Sequence, residues 1–264
     1  MIEFKGRVVL IAGAASGIGA AVARSFARAG AHVALADIVS CEDTLAQIAR
    51  EGGEAESVSL DVTDGPRVEA ALRDLVGRVG ALHHVVNCAG LATRHTLAQM
   101  PAEAWRRVIE VNLTSGFILI KAAEPYIAAA GGGSVTLISS VAAEHIAYFS
   151  GAHYAASKAG QLGLVRHAAF ELGRRGIRVN AIGPGPMSNR MGGGQHPAET
   201  LHRTALNLPL QQVVEPEDVA DACLFLSSPM ARAISGVYLP VDAGFLTSRG
   251  QPYRRYFDLH DASF

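Results

Sequence analysis

Short apolar runs alternate along the chain with longer stretches in which apolar residues recur every three or four positions. Residues 8–12, 32–36, 55–60, 82–86, 134–139, 177–182 and 237–241 read as strands. Residues 18–29, 42–50, 66–79, 102–129, 154–174 and 216–227 carry the helical period with few breakers. Strand, helix, strand in regular alternation predicts parallel strands joined by right-handed crossovers: an α/β sheet of about seven parallel strands flanked by helices on both faces. Strands buried on both faces are nearly continuously apolar, as these runs are.

Two segments break the pattern. Residues 183–209 are rich in Gly, Pro, Asn and His, and read as a mobile loop beside a site. Residues 245–264 set Tyr253, Tyr256, Phe257 and Phe264 among charges, which suggests an extension packed on the body or on a neighbouring subunit. The 264 residues are 49% hydrophobic and 18% charged, enough apolar material for one large core, so residues 1–264 are expected to form a single domain. With 23 basic against 24 acidic side chains there is no positive field to draw in nucleic acid or an anionic membrane. No apolar run reaches the roughly 20 residues that span a bilayer. Cys41, Cys88 and Cys223 are scattered and odd in number, which suits the cytoplasm better than an oxidising compartment. Ten histidines include no paired zinc-ligand spacing, so no metal is expected. The partner left by these exclusions is a small molecule.

The first strand runs directly into AGAASGIG, placing Gly13, Gly17 and Gly19, with Ser16 and Ile18 between and beside them, in the turn that opens the first helix. Glycine lets backbone approach a pyrophosphate closely, and the free N–H groups of a helix N-terminus offer partial positive charge to its oxygens. The spacing, G-x3-G-x-G, differs from G-x-G-x-x-G, so the strand before and the helix after carry the reading more than the glycines do. Asp37 ends the second strand about twenty residues on, where a carboxylate accepts hydrogen bonds from ribose hydroxyls and repels a 2′-phosphate. No Arg or Lys follows it, so NAD is favoured over NADP.

Tyr154 and Lys158 stand four residues apart within YAASK, on one face of a helix. A phenol ionises near pH 10, so working at neutral pH needs about 4 kcal/mol of preferential stabilisation, of the kind a nearby ammonium supplies. AGAASGIG, NCAG at residues 87–90, Asn112, Ser140, YAASK and the Pro184–Gly185 pair together resemble the classical short-chain dehydrogenase/reductase family, in its order and over residues 5–244. That resemblance implies a single-domain, Rossmann-like doubly wound fold and an alcohol/ketone oxidoreductase. It implies Tyr154 as general acid/base, Ser140 polarising the substrate oxygen, Lys158 binding the nicotinamide ribose while lowering the tyrosine pKa, and Asn112 completing a water-linked proton relay. Asp61 is implied beside adenine, Val62 through its backbone, and Asn87 and Gly90 along the cofactor after the fourth strand.

There are departures. Ala12 stands where the family often has Thr, and Cys88 where N-N-A-G is commoner. The step from Ser140 to Tyr154 is one residue longer than the family's, which leaves Ser139 as a competing assignment. Asn189 takes the place of the usual Thr near the nicotinamide carboxamide. His145, Tyr148, Phe149 and His153 are candidates to line the substrate pocket, while Cys88, Trp105 and Phe117 read as packing residues. The small residues of helix 154–174 suit close packing between subunits; the resemblance implies a homotetramer, with a dimer second. The leading function is NAD-dependent oxidation of a secondary alcohol, cyclic, polyol-like or steroid-like. The alternatives are an NADPH-dependent 3-oxoacyl-thioester reductase and a dinucleotide-binding sensor or scaffold.

Overall fold

The computed structural model describes residues 2–148, 150–188 and 196–248. Seven parallel strands, β1 (Val8–Ala12), β2 (His32–Asp37), β3 (Glu54–Ser59), β4 (His84–Asn87), β5 (Gly133–Ile138), β6 (Ile177–Pro184) and β7 (Tyr238–Val241), form one sheet in the order β3-β2-β1-β4-β5-β6-β7. The chain therefore winds outward in one direction from β1, then returns to start again at β4. Between those two neighbouring strands the connections diverge, and a crevice opens at their C-terminal ends. Gly13 and residues 87–90 both lie there because each directly follows one of these strands.

Alternation within the strands divides the core between the two faces. Val8, Leu10 and Ala12 of β1 face a layer completed by α3 (Gly65–Val79), α5 (Ser115–Ala129) and α6 (Ala152–Leu172). Val9 and Ile11 face the opposite layer, built on α1 (Gly17–Arg28), α2 (Glu42–Arg50) and α8 (Pro216–Ser227). All five residues of β1 are buried. The edge strand β3 departs from the expectation of burial on both faces: Glu54 and Glu56 alternate with smaller residues and every position keeps some exposure. One side of β3 has no strand neighbour, and charges on an edge discourage pairing with another chain. At the other edge, β7 is likewise only part-buried.

Two helical expectations are revised. The stretch 102–129 is not one helix: α4 (Ala102–Ile109) passes through a π-helical turn at Glu110–Thr114 into α5. The apolar period runs on through a π turn, so the pattern alone does not reveal it. Within the segment read as a loop, β6 reaches Pro184 and a short helix α7 (Ala198–Ala205) forms; residues 189–195 lie outside the described residues, as does all but the start of the expected extension at 245–264, where α9 (Phe245–Ser248) is the last element. Trp105 and Phe117, read as packing residues, are substantially exposed, Phe117 at 52%. Among the described residues no helix is long and apolar enough to cross a membrane.

Candidate active site

The glycine turn is shaped by contacts that leave no room for side chains. Gly13 sits at φ +77°, and a Cβ there would lie 2.6 Å from the Ala89 backbone nitrogen; one on Gly19 would lie 1.9 Å from the Gly13 carbonyl oxygen. Gly17 also has positive φ. Such a turn is open only to glycine. Ser16 precedes α1 in extended conformation and makes no side-chain cap, and the first turn of α1 carries no acidic residue. Its N–H groups are therefore left to an incoming anion.

Asp37 braces the same turn from β2. Its carboxylate accepts from the Ala15 N–H at 3.0 Å and from the Val39 N–H at 3.2 Å. Buried Thr44 on α2 donates to the Ala14 carbonyl at 3.0 Å. Thr44 escaped the sequence reading: a lone Thr in an amphipathic helix has no distinguishing pattern. Asp61 accepts from the Thr63 hydroxyl at 2.7 Å and the Thr63 N–H at 2.9 Å, and these hydrogen bonds hold its carboxyl below the usual range. Val62 is buried in the core beside it.

After β4, Asn87 donates to the Ser115 hydroxyl and accepts from the Ala89 N–H. A Cβ on Gly90 would lie 3.7 Å from Asn112 Oδ1 and 3.9 Å from Lys158 Nζ, so this turn runs directly over two of the expected catalytic residues. Asn112 lies in the π turn, fully buried. It accepts from the Leu91 N–H at 2.7 Å and donates to the Leu91 carbonyl at 2.9 Å and the Ser157 hydroxyl at 3.0 Å, while its own carbonyl accepts from Gln161 Nε2 at 2.6 Å. Asn112 thus ties the β4 turn to α6. Gln161 is another residue that the sequence reading missed.

Tyr154 and Lys158 stand on α6, 9% and 3% exposed. The Ser140 side chain faces the Tyr154 phenol and acts to lower its pKa. The Ser140 hydroxyl oxygen accepts from the Ala142 N–H at 3.1 Å, capping the short 3-10 turn Val141–Ala143. Ser139 is used elsewhere: it is buried and donates to the Lys158 carbonyl at 3.1 Å. Of the two serines, Ser140 is the one brought to the tyrosine. Lys158 Nζ donates to the Ile138 carbonyl at 2.8 Å and lies 5.5 Å from the centre of the Tyr154 ring. Burial lowers its pKa to about 8. The implied lowering of the tyrosine pKa is not what results here: burial pushes the phenol upward, and Ser140 opposes it only in part.

Around this centre, the His153 ring accepts the Tyr154 N–H at 2.8 Å and shares a 2.7 Å hydrogen bond with Thr93, while His95 meets His153 edge to face. His145 packs on Phe245 with ring centres 5.4 Å apart. Tyr148 is described and exposed; Phe149 lies outside the described residues, as does Asn189. Gly185, after Pro184, abuts Asp242, and its N–H donates to the Val241 carbonyl. Cys88 is part of the core layer behind β4, and burial pushes its thiol up to about 12, which leaves it a poor nucleophile.

Comparison with known proteins identifies the family. A family model described as enoyl-(acyl carrier protein) reductase matches residues 13–246. Cis-4-hydroxycyclohexanecarboxylate dehydrogenase of Sinomonas cyclohexanicum is 37% identical over 244 residues, covering 92% of this chain and 97% of that protein. The 2,5-dichloro-2,5-cyclohexadiene-1,4-diol dehydrogenase LinX of Sphingobium indicum is 36% identical, covering 91% of this chain and 96% of its own. A crystal structure of carveol dehydrogenase from Mycobacterium avium in complex with NAD superposes with a TM-score of 0.85 at 30% identity, covering 94% of this chain and all of that one. The chain belongs to the short-chain dehydrogenase/reductase family.

Proposed function

We propose that this chain is an NAD-dependent dehydrogenase of a cyclic secondary alcohol, interconverting it with the ketone. The observation that carries the reading is the grouping of Ser140, Tyr154 and Lys158, with Lys158 Nζ 5.5 Å from the centre of the buried Tyr154 ring, beside the crevice that the sheet topology opens. The cradle fits a dinucleotide: Gly13 and Gly19 admit no Cβ, and the first turn of α1 has no side-chain cap and no acidic residue of its own. Gly13, Ser16, Gly17, Ile18 and Gly19 would hold the pyrophosphate, Asp37 the adenosine ribose, Asp61 and Val62 the adenine, and Asn87, Gly90, Pro184 and Gly185 the nicotinamide half. Bound there, NAD supplies the hydride acceptor.

Ser140 donates to the substrate oxygen and stabilises the charge that develops on it. Tyr154 takes the hydroxyl proton as the carbonyl forms and returns it in the reverse direction. Lys158 carries its positive charge 5.5 Å from the ring centre, where it meets the negative charge that the phenol bears between proton transfers. Asn112 holds the Leu91 turn against α6, so its part is to fix the distance between cofactor cradle and catalytic helix. The cyclic-alcohol assignment rests on the relatives, two of which act on six-membered carbocycles bearing hydroxyls. Phe117 and Phe170, exposed on α5 and α6, support assembly through those helices, as a homotetramer first and a dimer second; elution at the mass of one protomer would remove that part.

The test is paired titration with NADH and NADPH, then a panel of cycloalkanols with NAD followed by NADH formation. Tighter NADH binding and turnover of a cyclic alcohol are expected. Tyr154→Phe is expected to lose at least ~100-fold in kcat with NADH binding retained. NADPH preference would move the assignment to an oxoacyl reductase, in line with the matching family model's description. Binding without turnover of any alcohol or ketone would favour a sensor.

A further inference from the structure

The phenol of Tyr238 crosses a neighbouring strand to reach the reaction centre. Tyr238 opens β7, in register with Ala181 of β6. Its ring lies over Gly183 so closely that a Cβ there would fall 2.1 Å from Oη and 2.3 Å from Cζ. Glycine at 183 is thus the footprint of this ring. Beyond β6, Tyr238 Oη donates to the Ser140 carbonyl at 3.0 Å, joining residues 98 apart in sequence. The same carbonyl accepts from the Ala143 N–H at 2.9 Å, and Ser140 Oγ accepts from the Ala142 N–H at 3.1 Å. Ser140 is therefore held at both ends: its carbonyl by Tyr238 and the turn, its side chain by the turn alone. Two N–H donors from a three-residue 3-10 turn are a weak anchor, since such turns are short and their hydrogen-bond geometry is poor. The phenol supplies a tether from the sheet. Burial, aided by Glu144 and Asp242, pushes the Tyr238 phenol well up and so keeps it a donor throughout the working pH range.

We infer that Tyr238 is a positioning residue for Ser140, acting through the serine's backbone carbonyl to hold its hydroxyl toward Tyr154 and the substrate oxygen. The inference rests on the dehydrogenase reading of the site.

Tyr238→Phe keeps the ring over Gly183 and removes only the donor. Compared with wild type on the same cyclic alcohol, kcat is expected to fall about three- to tenfold, the worth of one hydrogen bond. KM for NAD is expected to stay within about twofold, since no cofactor contact is touched. The kinetic limb that Tyr154 governs is expected to move up by about half a pH unit, because a loosened Ser140 donates less well to the ionised phenol. A variant with a lowered melting temperature but unchanged kcat and unchanged pH limb would show a structural role only and overturn the inference. A wild type that oxidises no alcohol with NAD would instead overturn the dehydrogenase reading, and this assignment with it.

Discussion

Asp37 carries two tasks that separate on mutation. Its carboxylate accepts from the Ala15 and Val39 N–H groups, and under the proposed reading it also excludes a 2′-phosphate. Asp37→Ala is therefore expected to weaken NAD binding while lowering NAD-over-NADP discrimination by at least ~10-fold, a modest share of the repulsion between two negative groups a few ångströms apart. Paired titration with the two cofactors measures both; an unchanged ratio would confine Asp37 to bracing the turn. At this scale the sequence was informative wherever chemistry requires one residue type. Gly13 and Gly19 are legible because nothing else fits, and Tyr154 with Lys158 because four residues on a helix put them on one face. Thr44, Gln161 and Tyr238 were not, since each acts through a hydrogen bond to a backbone carbonyl 30, 49 and 98 residues away, and distance of that kind is set by topology. The choice between Ser139 and Ser140 belongs with these: only the direction each side chain takes after β5 separates them.

The π turn is the element-scale feature that apolar periodicity could not show. It turns Asn112 into the crevice between the β4 turn and α6, where the side chain meets both hydrogen-bonding groups of Leu91. Asn112→Ala leaves the Leu91 N–H and carbonyl without that partner, and an expected loss of roughly 2 kcal/mol follows from stranding part-buried polar groups. Chemical denaturation measures it. Because the Leu91 turn runs on from Gly90 over Lys158, kcat should fall with stability; a variant as stable as wild type but inactive would give Asn112 a direct part in proton transfer. Strand and helix order were readable because each element has its own period. The exposure of β3 was not, since Ala55 and Val58 look the same at an edge as in the centre.

Over the whole molecule, the site is assembled at a cost to the fold, and Lys158 shows it. Its ammonium is 3% exposed with one carbonyl partner, and burial lowers its pKa from 10.5 to about 8. In the unfolded chain the group keeps its ordinary value, so between pH 8 and 10.5 the unfolded state binds more protons than the native state. Stability contributed by this group therefore rises with pH through that window and is withheld below it. The penalty at neutral pH is at most about 3.4 kcal/mol by the conversion of one pKa unit to 1.36 kcal/mol. Lys158→Met removes the buried charge at similar length, leaving the Ile138 carbonyl without its donor, which offsets part of the gain. The variant is thus expected to be inactive and yet more stable than wild type by about 1–2 kcal/mol at pH 7. That advantage should shrink steadily as denaturation is repeated from pH 8 toward 10.5. A Met variant less stable than wild type at pH 7, or an advantage that does not vary with pH, would mean that the folded lysine keeps the ordinary ionisation of an exposed one and that the fold is not strained by its burial.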